Sequence, residues 1–275
     1  MPELPEVETV RLGLVPALEG QVIKEVTVRR RDLRLPVPLD FEDRVRGFTV
    51  LSLRRRSKYV LVELETKETI IIHLGMSGRI RIEQGNPGEP DKHDHIELIT
   101  ESRQCIRFGD PRRFGFVDII PAGAVETYPS LAKLGPEPLG DDFTAQFLCD
   151  RLRNKTTSMK AALMDQRLVA GLGNIYVNEA LFRAGISPQK QAGKLTKAKA
   201  GLLVDVIKKV LLEAIESGGS SLKDHRRTDG ELGYFQHSFQ VYGREGEPCQ
   251  QCGSAQIQRI VQQGRSTFYC SSCQQ

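Results

Sequence analysis

The chain has 275 residues, of which 39% are hydrophobic, and it carries a net charge of +4 at pH 7. This length allows two domains plus a small module, and no apolar run approaches the ~18 residues that a transmembrane helix requires. We therefore expect a soluble, intracellular protein, since the start of the chain also does not resemble a secretory signal. The mild basic excess permits nucleic-acid binding and does not establish it.

The first 120 residues combine one helix with many short strands. Pro5 suits a first helical turn, and Val7, Val10 and Leu14 recur at helical spacing, which predicts a helix from Pro5 to about residue 18. So many short strands in about a hundred residues are typical of a β-sandwich or barrel. We expect the strands at 22–28, 49–53, 59–64, 69–74, 79–82, 95–100, 105–108 and 116–120.

The second half of the chain is predicted to be helical, which makes the fold class α+β. A segment rich in proline and glycine at 135–140 marks a domain boundary. We expect helices around 143–152, at 159–164, from an N-cap at Asn174 to just before Gly185, and at 196–217. The polar loop at 217–236, with His225, Arg226 and Arg227, is long enough to be a lid or clamp.

The last stretch contains four of the six cysteines in two Cys-x-x-Cys pairs with 17 residues between them. This ligand set and spacing are typical of a structural zinc site. A rubredoxin-type iron site and two disulfides are the alternatives, and the absence of a secretory signal disfavours the disulfides. The expected metal ligands are Cys249, Cys252, Cys270 and Cys273, whereas Cys105 and Cys149 are interpreted as small buried hydrophobic residues.

The chain starts with Met1-Pro2-Glu3, and removal of Met1 would expose a secondary amine on Pro2. An α-amine has a pKa of roughly 7.7–8.0, so part of it is unprotonated at neutral pH and can attack a sugar C1′ to give an iminium ion. Glu3 could protonate the ring oxygen as the sugar opens. By themselves these two residues favour an ordinary chain start over a catalytic role.

Five motifs occur in one order along the chain: MPELPEVET at the start, HLGMSGR at 73–79, DPRRFG at 110–115, GLGNIY at 171–176 and the four-cysteine hairpin. Together they resemble the formamidopyrimidine-DNA glycosylases, which remove oxidised purines such as 8-oxoguanine. The resemblance implies an N-terminal β-sandwich catalytic domain at 1–134, a helix–two-turn–helix domain at 141–236 and a zinc finger at 237–275. It also implies base excision followed by nicking of the strand on both sides of the lost base.

The resemblance assigns roles to individual residues. Pro2 matches the Schiff-base nucleophile and Glu3 the proton donor, while Lys58 matches a lysine used in β-elimination and Arg265 an arginine tied to δ-elimination. A set of three residues matches the side chains that fill the gap left by a flipped base, and a set of four matches residues that hold the DNA backbone. The first set is Met76, Arg112 and Phe114, and the second is His93, Lys155, Lys160 and Asn174.

Other interpretations remain open at this point. Met76 and Phe114 could belong to the core, Arg112 could be a surface charge, and Lys155 and Lys160 could be solvated lysines on a helix. Endonuclease VIII, which prefers oxidised pyrimidines, is the nearest alternative enzyme, and a non-catalytic DNA- or RNA-binding protein is the alternative of another class. The sequence favours the purine enzyme, acting as a monomer with one structural zinc ion on damaged double-stranded DNA, with no membrane, in the cytoplasm and associated with the nucleoid.

Overall fold

The computed structural model describes residues 2–85, 87–220, 228 and 230–275. The chain divides into two compact units, one formed by Met1–Ala132 with Ser217–Tyr234 and the other by Lys133–Glu216 with Phe235–Gln275. The three domain bounds inferred from the sequence stay a prediction. No helix within the described residues is long and apolar enough to cross a membrane.

The first unit starts with helix α1, Leu4–Leu18. Its N-cap is Glu3, whose backbone N–H donates to the Glu6 carboxylate (Oε2, 2.8 Å), so the first turn is held by the spacing typical of a capping box. Pro5 occupies this first turn as predicted, where the missing N–H has no helical partner to lose. The apolar side of α1 is buried against the core of the unit.

Two four-stranded antiparallel sheets follow, in the orders β1-β6-β7-β5 and β2-β3-β4-β8. Apolar side chains from α1 and from both sheets form one buried cluster, so the predicted β-sandwich is confirmed. The strands are β1 Ile23–Val28, β2 Val50–Arg56, β3 Tyr59–Leu64, β4 Thr69–His73, β5 Arg79–Gln84, β6 Asp94–Thr100, β7 Gln104–Gly109 and β8 Phe116–Ile120, with helix α2 at Phe41–Val45 and a 3₁₀ turn at Val125–Thr127.

The second unit contains four α-helices and one hairpin among its described residues. Thr144 and Ser158 cap the first two of these helices, because their hydroxyls accept hydrogen bonds from the N–H groups of Phe147 (3.1 Å) and Ala161 (3.3 Å). The elements are α3 Ala145–Leu152, α4 Met159–Met164, α5 Asn174–Arg183, α6 Lys197–Glu216, β9 Gln258–Gln262 and β10 Arg265–Tyr269, with 3₁₀ turns at Ala192–Lys194 and Phe235–Ser238.

Two local predictions are wrong. The N-cap of α5 is Gly173 and not Asn174, because the extended backbone of Gly173 (φ −140°, ψ −164°) precedes the helix while Asn174 is its first residue. Cys105 is buried as expected, but Cys149 is only half-buried because it lies at the edge of the α3 face that buries Leu148 and Leu152. The predicted α+β class, with sheets first and helices after them, is confirmed.

The loop predicted at 217–236 is described only in part. Residues 221–227 and 229, which include the basic His225-Arg226-Arg227 run, lie outside the described residues. Thr228 O accepts a hydrogen bond from Ile82 N (3.2 Å), and Ser220 pairs with Tyr234 in an isolated antiparallel bridge. Both ends of the loop are therefore attached within the first unit.

Candidate active site and nucleic-acid interface

Pro2 and Glu3 lie immediately before α1, and both are buried, with Glu3 4% exposed. Glu6 connects this start to the loop at 217–236, because its Oε1 accepts hydrogen bonds from the N–H (2.8 Å) and the hydroxyl (2.9 Å) of Ser220. Sequence reasoning assigned Glu6 only to the positive end of the first helix, although the Glu-x-x-Glu spacing of a capping box is visible in the chain. The chain start is thus held rigidly from two sides.

Lys58 occupies the turn between β2 and β3, directly after Ser57, whose φ of +54° lies in the left-handed region. The lysine is 8% exposed, which is unusual for an ammonium group and marks it as more than a solvated charge. Burial, together with the positive charges of Arg34 and Lys58, lowers the pKa of His73 to about 4, whereas Asp110 opposes this shift. His73 is therefore neutral at physiological pH and adds no further positive charge beside Lys58.

Met76 and Phe114 are exposed on two loops of the first unit, with 37% and 45% of their surface accessible. The guanidinium carbon of Arg112 lies 4.9 Å from the centre of the Phe114 ring, which is the geometry of a cation–π contact. The alternative that Met76 and Phe114 belong to the core is wrong. His93 is half-buried and directly precedes β6, and its backbone N–H donates to Asp91 Oδ1 (2.9 Å).

In the second unit, Asn174 projects from the first turn of α5 towards the hairpin. Its Nδ2 donates to Ser266 O (3.0 Å) and lies 3.5 Å from the Tyr242 hydroxyl. Its Oδ1 is buried and has no hydrogen-bond partner among the described residues. A turn held by Gln166 precedes the helix, since Gln166 accepts from Gly171 N (2.9 Å) and donates to Leu172 O (2.8 Å).

Lys160 is 2% exposed on α4, so the interpretation as a solvated surface lysine is wrong. Its Nζ donates to Ser266 O (2.8 Å) and to the hydroxyl of Thr267 (2.6 Å), both on β10. The lysine therefore supports the strand that begins with Arg265. Whether it also contacts the DNA backbone stays a prediction.

A cleft of about 310 Å³ brings Lys155 and Arg265 together within the second unit. Arg167 and Asp165 line the same cleft, and the guanidinium Nε of Arg167 donates to Asp165 Oδ1 (2.9 Å). Lys155 is half-buried, whereas Arg265 is exposed. Lys155, which is expected to hold the DNA backbone, and Arg265, which is expected to act in δ-elimination, thus line one surface with three cationic and one anionic side chains.

The four predicted metal ligands form one cluster whose sulfur atoms all lie within 4.8 Å of one another. The Cys249–Cys273 and Cys252–Cys270 sulfur pairs are both 3.8 Å apart. A tetrahedral site with ~2.3 Å zinc–sulfur bonds has sulfur–sulfur edges of roughly 3.8 Å, whereas a disulfide requires about 2.05 Å. The residues therefore fit a structural zinc ion, and the disulfide alternative is excluded.

Glu179 is a buried carboxylate that sequence reasoning missed, with 0% exposure on α5. Its oxygens accept hydrogen bonds from the backbone N–H groups of Gln240 (3.0 Å), Val241 (3.0 Å) and Tyr242 (2.8 Å). The partners lie about sixty residues away in sequence, so no local pattern signals this contact. Glu179 thus fixes the segment that carries Tyr242 beside Asn174.

Two antiparallel sheets, a helical unit and a four-cysteine hairpin define a zinc-finger protein of the helix–two-turn–helix class. Residues 1–117 match the formamidopyrimidine-DNA glycosylase N-terminal domain, residues 134–226 the H2TH domain of the same enzyme, and residues 246–275 a zinc finger found in FPG and IleRS. A formamidopyrimidine-DNA glycosylase of Cereibacter sphaeroides is 55% identical over 282 residues, with 100% of both chains covered. The chain therefore belongs to the formamidopyrimidine-DNA glycosylase family.

Solved structures agree with this assignment. The MutM (Fpg) protein of Thermus thermophilus superposes with a TM-score of 0.87 at 41% identity, covering 99% of this chain and 98% of that one. A Lactococcus lactis Fpg in complex with DNA that contains an abasic site gives a TM-score of 0.90 at 37% identity, with 99% of each chain covered. The similarity thus extends over both units.

Proposed function

We propose that this protein is a base-excision repair enzyme that flips oxidised purines out of duplex DNA, removes them through a Schiff base at Pro2 and nicks the strand by β,δ-elimination. The observation that carries the proposal is full-length identity of 55% to a formamidopyrimidine-DNA glycosylase in a chain that begins with Pro2-Glu3. The alternative with oxidised pyrimidines as substrates is not favoured, because the matching relatives carry the name of the purine enzyme.

The first chemical step is attack of the Pro2 nitrogen on C1′, which breaks the bond to the base and opens the sugar to an iminium ion. Removal of Met1 is required, since an acylated nitrogen has no free lone pair. Glu3 lies beside this nitrogen in the chain and is buried, so its carboxyl group is suited to deliver a proton to the ring oxygen. The positive iminium then acidifies the C2′ proton and drives the first elimination.

Loss of the C2′ proton expels the 3′ phosphate, and a second elimination expels the 5′ phosphate. Lys58 is assigned to the first elimination and to phosphate contact, which agrees with a charged group held in a buried turn. Arg265 is assigned to the second, and its position at the start of β10 in the cleft with Lys155 supports a contact with a phosphate leaving group. Phosphate contacts also supply most of the salt-dependent affinity.

Base flipping leaves an orphaned base and an empty place in the stack. The exposed thioether of Met76 and ring of Phe114 are suited to fill it, while the Arg112 guanidinium can hydrogen-bond the orphaned base. His93, Lys155, Lys160 and Asn174 are proposed to hold the backbone around the lesion. We further propose a monomer that acts in the cytoplasm, associated with the nucleoid.

Borohydride trapping on a duplex with one 8-oxoguanine opposite cytosine tests this proposal. Protein lacking Met1 is expected to form a covalent adduct that mass spectrometry maps to Pro2. Glu3→Gln should bind the same duplex but turn over slowly, and near-normal turnover would remove Glu3 from its assigned role. An adduct that forms only with an oxidised pyrimidine would transfer the protein to the alternative substrate class, and no adduct with either would leave a DNA-binding protein without this chemistry.

A further inference from the structure

Two loops of the first unit carry the exposed Met76, Arg112 and Phe114, and a buried hydrogen bond joins them. The hydroxyl of Ser77 donates to Asp110 Oδ1 (2.5 Å), and these two residues are 5% and 0% exposed. One loop connects β4 to β5 and the other connects β7 to β8. Ser77, the residue after Met76, is thus hydrogen-bonded to Asp110, the first residue of the loop that carries Arg112 and Phe114.

The Asp110 carboxylate also organises its own loop. Its Oδ2 accepts from Gly115 N (2.7 Å), and its Oδ1 lies 3.3 Å from Arg112 N. The same Arg112 N–H reaches Ser77 Oγ at 3.2 Å. A charged acceptor inside the loop thus binds backbone groups on both sides of Phe114, and hydrogen bonds to a charged group are stronger than neutral ones.

The backbones of the two loops also touch. Gly75 has a φ of +59°, and a Cβ built on it would lie 2.3 Å from Gly115 N and 2.3 Å from the carbonyl carbon of Phe114. Only glycine permits both this conformation and this approach. Side-chain and backbone contacts therefore hold the loops in one arrangement.

The position of His93 depends on the same residue. Asp110 N donates to His93 O (3.0 Å), and Asp110 O accepts from His95 Nε2 (2.8 Å). Asp110 therefore contacts the backbones of His93 and Arg112 directly. It also contacts Ser77 and Gly115, the chain neighbours of Met76 and Phe114.

We propose that Ser77 and Asp110 are positioning residues that hold Met76, Arg112 and Phe114 as one preformed edge for insertion into the DNA stack. The inference rests on the proposed function. Neither residue is exposed enough to meet DNA, so the pair acts through the loops it joins. Two loops that are already held in one arrangement lose less conformational entropy when they insert into the duplex than two independent loops would.

Ser77→Ala removes the joining hydroxyl with little change in volume. Ser52→Ala is the matched control, because the Ser52 hydroxyl also donates to a carboxylate in the first unit (Glu63, 3.1 Å) but lies far along the sheet from both loops. Each variant is compared with the unaltered enzyme in single-turnover excision of 8-oxoguanine from duplex DNA. A second substrate, a single-stranded oligonucleotide with an abasic site, is used for borohydride trapping. It has no opposite strand, so it contains neither an orphaned base nor a gap in a duplex stack to be filled.

Ser77→Ala is expected to slow duplex excision about tenfold, the equivalent of ~1.4 kcal/mol, while trapping on the single strand changes by less than about twofold. Ser52→Ala should match the unaltered enzyme on both substrates. Unchanged duplex excision by Ser77→Ala, or an equal loss on both substrates, would overturn the proposal. Failure of the unaltered enzyme to trap either substrate would instead overturn the proposed function.

Asp110→Ala is expected to lose more duplex activity than Ser77→Ala, because it also leaves Gly115 N without its acceptor. Thermal unfolding identifies whether this variant still folds. If it does not, the Ser77→Ala comparison alone decides the outcome.

Discussion

Replacing Glu179 with Ala is expected to release the segment 240–242 from α5. The fully buried carboxylate is the acceptor for three consecutive backbone N–H groups, those of Gln240, Val241 and Tyr242. Each buried donor left without a partner costs about 1–3 kcal/mol. Three such donors give roughly 3–9 kcal/mol. Water entering the vacated space can satisfy part of this loss, so we expect a cost in the lower half of the range, about 3–5 kcal/mol.

Glu179→Gln gives a graded result, because it keeps one acceptor oxygen. Oε1 alone lies within 3.2 Å of all three donors, so an amide oxygen in its place can retain the contacts. What is lost is the charge, together with the Oε2 contact to Gln240, where an amide nitrogen would oppose an N–H. We expect Glu179→Gln to lower the free energy of local opening by about 1–3 kcal/mol, which is less than the loss expected for the Ala variant.

Hydrogen exchange of zinc-loaded protein measures these costs as the free energy of local opening at 240–242. Asp150→Asn is the control, since Asp150 forms an ion pair with Arg153 on the exposed side of α3 and its loss should cost less than about 1 kcal/mol. Exchange at 240–242 that accelerates by less than about fivefold in Glu179→Ala, equivalent to ~1 kcal/mol, would refute the reasoning.

Three further predictions follow from the metal site, the buried lysine and the buried histidine. Cys249→Ser should lose zinc and DNA binding together, as measured by metal analysis and a binding titration, and normal binding without zinc would contradict this. Lys160→Met should weaken DNA binding and reduce the magnitude of the slope of log K against log salt by about 0.9, because the proposed phosphate contact is lost. Weaker binding with an unchanged salt dependence would instead assign Lys160 only to the support of β10, which its Nζ contacts in the free protein. The pKa of His73 is about 4 in the folded protein and ~6.5 in the unfolded protein, so the unfolded state binds more protons between pH 6.5 and pH 4. The free energy of unfolding therefore falls as the pH falls through this range. His73→Gln should show a smaller fall in Tm over the same range, and an equal fall would contradict the assignment.

The sheets of the first unit could be predicted because each strand is a short apolar run with a clear boundary. Tyr59–Leu64 has the same bounds in the structure as in the prediction, and β2 extends three residues beyond its predicted end, into Arg54–Arg56. Helix α2 was not predicted, since its five residues bury only Phe41 and Val45 and complete too few turns to show a period. A five-residue strand such as β4 or β8 can thus be predicted from its apolar run, whereas a five-residue helix is too short to show a helical period.

The candidate site was predictable where function resides in a motif and not where it depends on distant contacts. Pro2, Met76 and Phe114 lie inside recognisable sequence motifs. The exposure of Met76 and Phe114 agrees with the expected insertion into DNA, whereas the roles of all three residues stay predictions. Lys160 and Glu179 are buried by partners 106 and about 60 residues away, which no helical period reveals. Asp110 belongs to the DPRRFG motif, but the hydrogen bonds that its carboxylate accepts from Ser77 and Gly115 are seen only in the folded structure.

The same physical solution recurs at three places near the proposed DNA-contacting side chains. A side chain that must enter DNA cannot be packed into the core of the free protein, so packing cannot fix its orientation. In three places the neighbouring backbone is fixed instead by a buried ionisable group: Asp110 beside Phe114, Lys160 beside Arg265, and Glu179 beside Tyr242. Because buried charges are costly unless fully hydrogen-bonded, each one strongly favours a single loop arrangement. Substituting Asp110 or Glu179 should therefore impair the proposed contacts with DNA even though the contacting side chains themselves are intact, whereas substituting Lys160 also removes a proposed phosphate contact.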